Sequence, residues 1–183
     1  MATTTIENGH FYITTGTVDG NTITHNTNEL VDIWDTKIDY NYDNSIGILI
    51  TNISTGDAGD EKPTKVKDLK RITESLAVLG YLIDEDGNSA KTKRNNLLTL
   101  ATSRNLDDAL NKRALLVVWG TNTAVNEQTI WRPSDILGGA FIQKIIFSET
   151  GGYVGEAVST TADVNPPERQ IGITIQLVRG KDI

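Results

Sequence analysis

The chain has 183 residues, of which 38% are hydrophobic and 22% charged, so it is long enough for one substantial core and lies well outside the disordered regime. A net charge of −7 and a pI of about 4.8 set its mean field against phosphate, which argues against a specific nucleic-acid binder. It has no cysteine, hence no disulfide framework, thiolate nucleophile or thiolate metal site; no apolar run reaches bilayer-spanning length and the polar start MATTT is no leader, so neither membrane insertion nor a cleavable signal is expected.

The first residues, about 1–9, are Thr-rich and read as a loose polar arm leading into a short strand at His10-Phe11-Tyr12-Ile13. Asp19-Gly20 is a hairpin turn signal before the strand Thr22-Ile23-Thr24. From Leu30 the alternation places Trp34, Ile38, Tyr40 and Tyr42 on one face and Asp35, Lys37 and Asp39 on the other, a half-buried antiparallel strand. Asp43-Asn44 is expected to turn it into a second strand from Ile46 to Ile50. Ser54 to Lys70, rich in glycine and in charges of both signs, reads as a long exposed loop.

Arg71 to Ile83 is the central strand, with Ile72, Leu76, Val78 and Leu82 on one side. The other side begins polar at Thr73 and Ser75 and turns apolar at Leu79, Tyr81 and Ile83, so the strand is expected to enter from a surface and end inside. A turn, with Gly87 supplying positive φ and Ser89 as N-cap, leads to one helix over about Ala90–Arg104. Its packed stripe is expected to be Ala90, Leu97, Leu98 and Ala101. Asn105 to Lys112 adds a helical turn, and Arg113 to Trp119 is apolar on both faces, as a central strand would be. A short strand at Thr129-Ile130-Trp131 stops before Pro133, and Ala140 to Phe147 is a strand with Phe141, Ile145 and Phe147 sharing a face. Gly151-Gly152 turns it, Gly155 to Arg169 is a second exposed arm, and Ile171, Ile173, Ile175 and Leu177 mark the last strand. Eight or nine strands and one helix predict a mainly β protein, an antiparallel sandwich or barrel with one flanking helix and long loops, in a single domain over 1–183.

Chemical constellations are sparse. Asp84-Glu85-Asp86-Gly87 fails a calcium-loop register, because the two anchoring positions fall on Leu82 and Lys93. His10 and His25 are the only histidines, too few for a histidine-rich metal site, and no nucleophile elbow, phosphate loop or dinucleotide fingerprint is present. Asp35 and Asp39 are the best candidates for paired carboxylates among Asp32, Asp35, Asp39 and Asp43, yet they stand on a polar strand face where charge is the default. Trp34, Trp119 and Trp131 lie in apolar strands and read as core or interface anchors. Lys62, Lys65, Lys67, Lys70 and Arg71 form a basic cluster that suits a solvated loop or an acidic neighbour. No enzyme activity and no cofactor or metal are expected.

The run RITESLAVLGYLIDEDGNSAKTKRNNLLTLA, followed by ALLVVWG and then by GAFIQKIIFSETGGY and RQIGITIQLVRG, resembles tail proteins of tailed viruses of bacteria and archaea, in particular tail tube or tube-proximal baseplate proteins. The resemblance covers about Lys70 to Gly180 and rests on the order of strand, turn, helix and Trp-Gly-ended strand; the chain departs from the pattern in the Ser54–Lys70 loop and the Gly155–Arg169 arm. It implies a structural virion protein, made in the host cytoplasm and located in the tail. Such a protein self-assembles into homo-oligomeric rings, hexameric by resemblance, around a channel that DNA passes without specific binding. Other tail or baseplate proteins would be its remaining partners. Long loops are natural contacts between subunits, which makes Asp57, Asp60, Glu61, Lys62, Lys65, Lys67, Pro166 and Pro167 the candidate contact residues. The alternatives are a tail-end adaptor or baseplate protein, a carbohydrate- or ligand-binding β-sandwich stacking its ligand on Trp131 and Tyr153, and last a carboxylate hydrolase at Asp35 and Asp39.

Overall fold

Alternating apolar residues become ten strands and one helix among the described residues, which the computed structural model gives as 1–49, 65–85, 88–104, 112–120, 127–149 and 170–181. In chain order they are β1 (Ala2–Thr5), β2 (His10–Thr14), β3 (Thr17–Asp19), β4 (Thr22–His25), β5 (Leu30–Leu49), β6 (Lys65–Ile83), α1 (Ala90–Thr102), β7 (Leu116–Gly120), β8 (Gln128–Trp131), β9 (Gly139–Ser148) and β10 (Gln170–Gly180). One sheet has the order β1-β4-β3 and the other β8-β7-β2-β5-β6-β10-β9. All pairings between these strands are antiparallel. The larger sheet curls until Leu115, just before β7, exchanges two backbone hydrogen bonds of 2.8 Å with Ala140 at the start of β9. The contact is an isolated bridge, so no closed ladder forms among the described residues. The fold is mainly β, with two antiparallel sheets and one helix, as the alternation predicts.

Two cores follow. The inner face of the curled sheet contributes Phe11, Ile13, Ile33, Val78, Leu82, Val117 and the four alternating residues Ile171, Ile173, Ile175 and Leu177, all buried, and α1 adds Ala90, Leu97 and Leu100. The small sheet covers the other face of β2 and β7, where Ile6, Ile23, Tyr12, Leu116 and Val118 meet. Strands β2 and β7 are therefore buried on both sides, which explains why Leu116-Val117-Val118 is apolar without alternation. Each such aliphatic side chain is worth roughly 1.5–3 kcal/mol relative to exposure.

Several local expectations give way to tertiary pairing. Residues 2–5 of the expected loose arm form β1 against β4, and Ile6 is buried. Asp43-Asn44 is not a turn: both residues pair in the ladder, with Thr73 and Ile72, and β5 runs on unbroken. Lys65 to Lys70 belong to β6 rather than to a loop, again because β5 pairs with Lys65 to Asp68; Leu69 and Lys70 fall at a register shift in the ladder. In α1 the buried positions are Ala90, Lys93, Leu97 and Leu100, whereas Leu98 is exposed. Spacings of three and four residues make a straighter stripe than one through both Leu97 and Leu98. Ser89 is the N-cap, its hydroxyl accepting from Thr92 N at 3.1 Å, and Asp84 accepts from Ala90 N at 2.5 Å.

The change with most consequence is a β-bulge. Asp35 pairs with Gly80 and Lys37 with Leu79, leaving Thr36 as the extra residue. It reverses the faces, so that Trp34 stands on the outer face with Lys37 and Asp39, while Ile38, Tyr40 and Tyr42 turn inward. A second irregularity, at Gln143, sets Phe141 opposite Val178 on the outer side while Ile145 and Phe147 pack against the core, so these three do not share a face. The apolar end of the odd-numbered face of β6 is not inside either: Leu79 and Tyr81 are exposed.

The first bulge also needs a glycine. A Cβ on Gly80 would stand 2.2 Å from the carbonyl oxygen of Trp34 and 2.9 Å from Ile33 Cγ2. Gly80→Ala is expected to lower the unfolding free energy by about 1–3 kcal/mol in urea titrations; an unchanged midpoint would contradict so close an approach.

Candidate functional site

Strands β5 and β6 are much longer than the strands that flank them. β2 pairs with β5 only over Leu30–Trp34, and β10 pairs with β6 only over Ser75–Ile83. From Thr36 and Glu74 outward the two strands pair with each other alone among the described residues, through to Leu49 and Lys65. This is a two-stranded ribbon with two free edges. Such a ribbon is marginally stable in water by itself, and its unpaired N–H and C=O groups are a template for another chain.

The ribbon's faces differ. One carries Lys37, Asp39, Asn41, Asp43, Thr73 and Ser75, with Lys37 and Asp39 in a solvent-exposed ion pair at 2.8 Å that adds little stability. The other carries Tyr40, Tyr42 and Ile72, exposed to 52%, 49% and 46% where the core no longer lies beneath them. At the root of that face is a cleft of about 430 Å³ lined by Tyr40, Glu74, Trp119, Thr129, Ile130, Trp131 and Arg179. Its floor is a polar knot. Arg179 donates from Nη1 to Glu74 at 2.7 Å, from Nη2 to Asp135 at 3.0 Å and from Nε to the Gly138 carbonyl at 3.1 Å. The guanidinium stacks on Trp131, 5.2 Å from the ring centroid, and Trp119 and Tyr40 meet Trp131 edge-on. Partial burial and the Glu74 carboxylate keep the Tyr40 hydroxyl protonated to higher pH than usual. The knot ties β6 at the ribbon's root to β10 and to the turn before β9.

A second cluster sits at the ribbon's base on the outer face. His10 is buried, with Nδ1 2.7 Å from Asp32 and Nε2 3.8 Å from Glu7, and its ring packs between Trp34 and Tyr12. Burial opposes a charge on this imidazole, yet the hydrogen bond and charge of Asp32, with Glu7 and Glu85 behind it, outweigh burial and raise its pKa above 6.5. Glu85 in turn accepts from Lys93 Nζ at 3.2 Å and Trp34 Nε1 at 3.5 Å, tying the turn before α1 to β5. The chain matches no protein-family model and no curated protein.

Of the eight candidate contact residues, Lys65 and Lys67 lie in β6, opposite Leu49 and Gly47. Asp57, Asp60, Glu61, Lys62, Pro166 and Pro167 lie outside the described residues, as do Gly87, Tyr153, the expected helical turn after Asn105 and the Gly155–Arg169 arm apart from its neighbour Gln170. Trp131 is 2% exposed, which removes it as a stacking platform for a sugar. Asp35 and Asp39 do not converge: the bulge sets them on opposite faces, with Asp35 partly desolvated and its pKa raised. Among the described residues no group of three or more His, Asp or Glu side chains is arranged to hold a metal, and no helix is long and apolar enough to cross a membrane. The knot of Glu74, Asp135 and Arg179 escaped sequence reasoning, since Glu74 and Arg179 are 105 positions apart and neither stands in a local motif.

Two outcomes follow from these clusters. Arg179→Met leaves Glu74, with 8% of its side chain exposed, without its cation. The substitution is expected to cost about 3 kcal/mol in urea unfolding, partly recovered in the double variant with Glu74→Gln; a loss within error would show the pair to be dispensable. Because the folded pKa of His10 is raised, its stabilising contribution is complete below pH 6.5 and fades as pH rises through the folded value. His10→Asn is therefore expected to flatten the decline of melting temperature above pH 6.5; parallel profiles for variant and parent would contradict the assignment.

Proposed function

We propose that the protein is a structural, non-enzymatic subunit that self-assembles into rings, and that the rings build a viral tail tube enclosing a channel for the genome. The ribbon of residues 36–49 and 65–74 carries this reading, since it projects two backbone edges without a strand partner and a largely exposed aromatic face, among the described residues. Evolution normally blunts free edges; here they are long, interrupted within the ribbon by one irregularity between Ser45 and Ile46. Neighbouring copies would pair or cover them, which turns a liability into an assembly device. The ring geometry and the tail come from the sequence resemblance, whose span of about Lys70 to Gly180 contains the base of the ribbon, the helix and β7 to β10.

The channel reading is supported by charge. The ribbon's polar face presents Asp43 and the Lys37–Asp39 ion pair, negative on balance, and the chain as a whole is at −7, so a lumen lined by that face would repel phosphates and let DNA slide. A tail-end adaptor would use the same ribbon against a different neighbour. Expected in light scattering across a concentration series, with negative-stain images of the same samples, are rings or tubes with a central hole; a monomer at every concentration would overturn self-assembly.

A further inference from the structure

Ten large hydrophobic side chains are exposed among the described residues, and seven of them fall into two groups. The first is the ribbon's inner face, Tyr40, Tyr42 and Ile72. The second is on the outer face of the body, where Trp34 pairs with Tyr81 on one rung, and Leu79, Thr174 and Ile146 form the next across β6, β10 and β9. Gly172 lies between Tyr81 and Ser148, and Tyr81 Cε1 comes within 4.0 Å of where its Cβ would be. The missing side chain leaves a shallow floor bordered by Tyr81, Leu79 and Ile146. Both groups are built on β5 and β6, the second reaching Ile146 of β9, and they stand on opposite faces of the sheet. One molecule cannot bring them together.

Resting on the self-assembly reading, we infer that the two patches are partners in a head-to-tail contact: the aromatic face of the ribbon of one copy lies on the Trp34–Leu79–Tyr81–Ile146 face of the next. A two-fold contact that pairs the patches reciprocally would also bury both, but it stops at a dimer and cannot extend to a ring. A head-to-tail contact buries both at every joint and, repeated, closes a ring or extends a filament. The chemistry suits it, because tyrosine presents a rigid apolar ring with a hydroxyl that stays hydrated at the rim, and the receiving floor is apolar and flat. The ribbon also gains what it lacks, a third layer under its apolar face.

The test uses two variants of the full chain. Tyr42→Lys with Ile72→Lys breaks the ribbon patch; Tyr81→Lys with Ile146→Lys breaks the body patch. All four positions are exposed, so melting temperatures close to the parent's are expected; should either lysine variant unfold, serine at the same positions replaces it. Each variant alone should stay at the monomer mass at ten times the concentration at which the parent is half assembled. Mixed in equal amounts, they should double in mass and stop there, because the intact ribbon of one variant docks on the intact body of the other and neither can add a third copy. If the parent assembles but the mixture stays monomeric, or if either variant assembles like the parent, the head-to-tail contact is wrong while self-assembly stands. If the parent stops at the dimer mass, the patches meet about a two-fold axis and the head-to-tail joint is wrong; if the parent itself is monomeric throughout, both fall.

Discussion

The ladder between β5 and β6 outruns the core that supports it. At its base the two strands are held on both sides, by β2 and β10, and their inward residues Ile33, Leu76, Val78 and Leu82 are buried. Further out no described strand flanks them, so the backbone groups that a sheet normally satisfies have no strand partner among the described residues. The rest of the architecture reads as an anchor for this projection. The curled sheet with its helix gives a rigid body, and the second core under β1, β3 and β4 stiffens β2, the strand beside the ribbon's root.

Polar chemistry is concentrated where the ribbon meets the body. On the inner side Arg179 links Glu74 of β6 to Asp135 in the turn before β9 while resting on Trp131. On the outer side His10 joins β2 to Asp32 of β5, and Glu85 joins the turn before α1 to Trp34. Glu74, Arg179 and His10 are largely buried, and their hydrogen bonds have directional geometry that apolar replacements of the same volume lack. Both clusters brace the same junction from opposite faces. That distribution suits a part whose orientation must be held against a neighbour.

Much of this was legible in the chain. The one-sided strand Ile171–Leu177 packs as its alternation says, the strand through Val117 is buried on both faces, and Ser89 caps the single helix. What could not be read locally depends on partners distant in sequence. The bulge at Thr36 has no signal of its own, being set by Gly80 across the ladder, and it alone moves Trp34 to the outer face and separates Asp35 from Asp39. Asp43 and Asn44 look like a turn until their pairing with Thr73 and Ile72 is known. Lys93 reads as a surface residue because its partner Glu85 stands eight positions away across a turn. Exposure of Leu79 and Tyr81 is likewise a property of the sheet's uncovered side rather than of the strand's pattern.

Hydrogen exchange of the ribbon amides tests the central claim most directly. If the ribbon is completed by neighbouring copies, amides on the outer edges of residues 36–49 and 65–74 exchange quickly in dilute monomer and become protected, together, as assembly proceeds, while those of β2 and β10 are slow throughout. Ribbon amides that exchange at the same rate in monomer and assembly would show that other surfaces join the subunits.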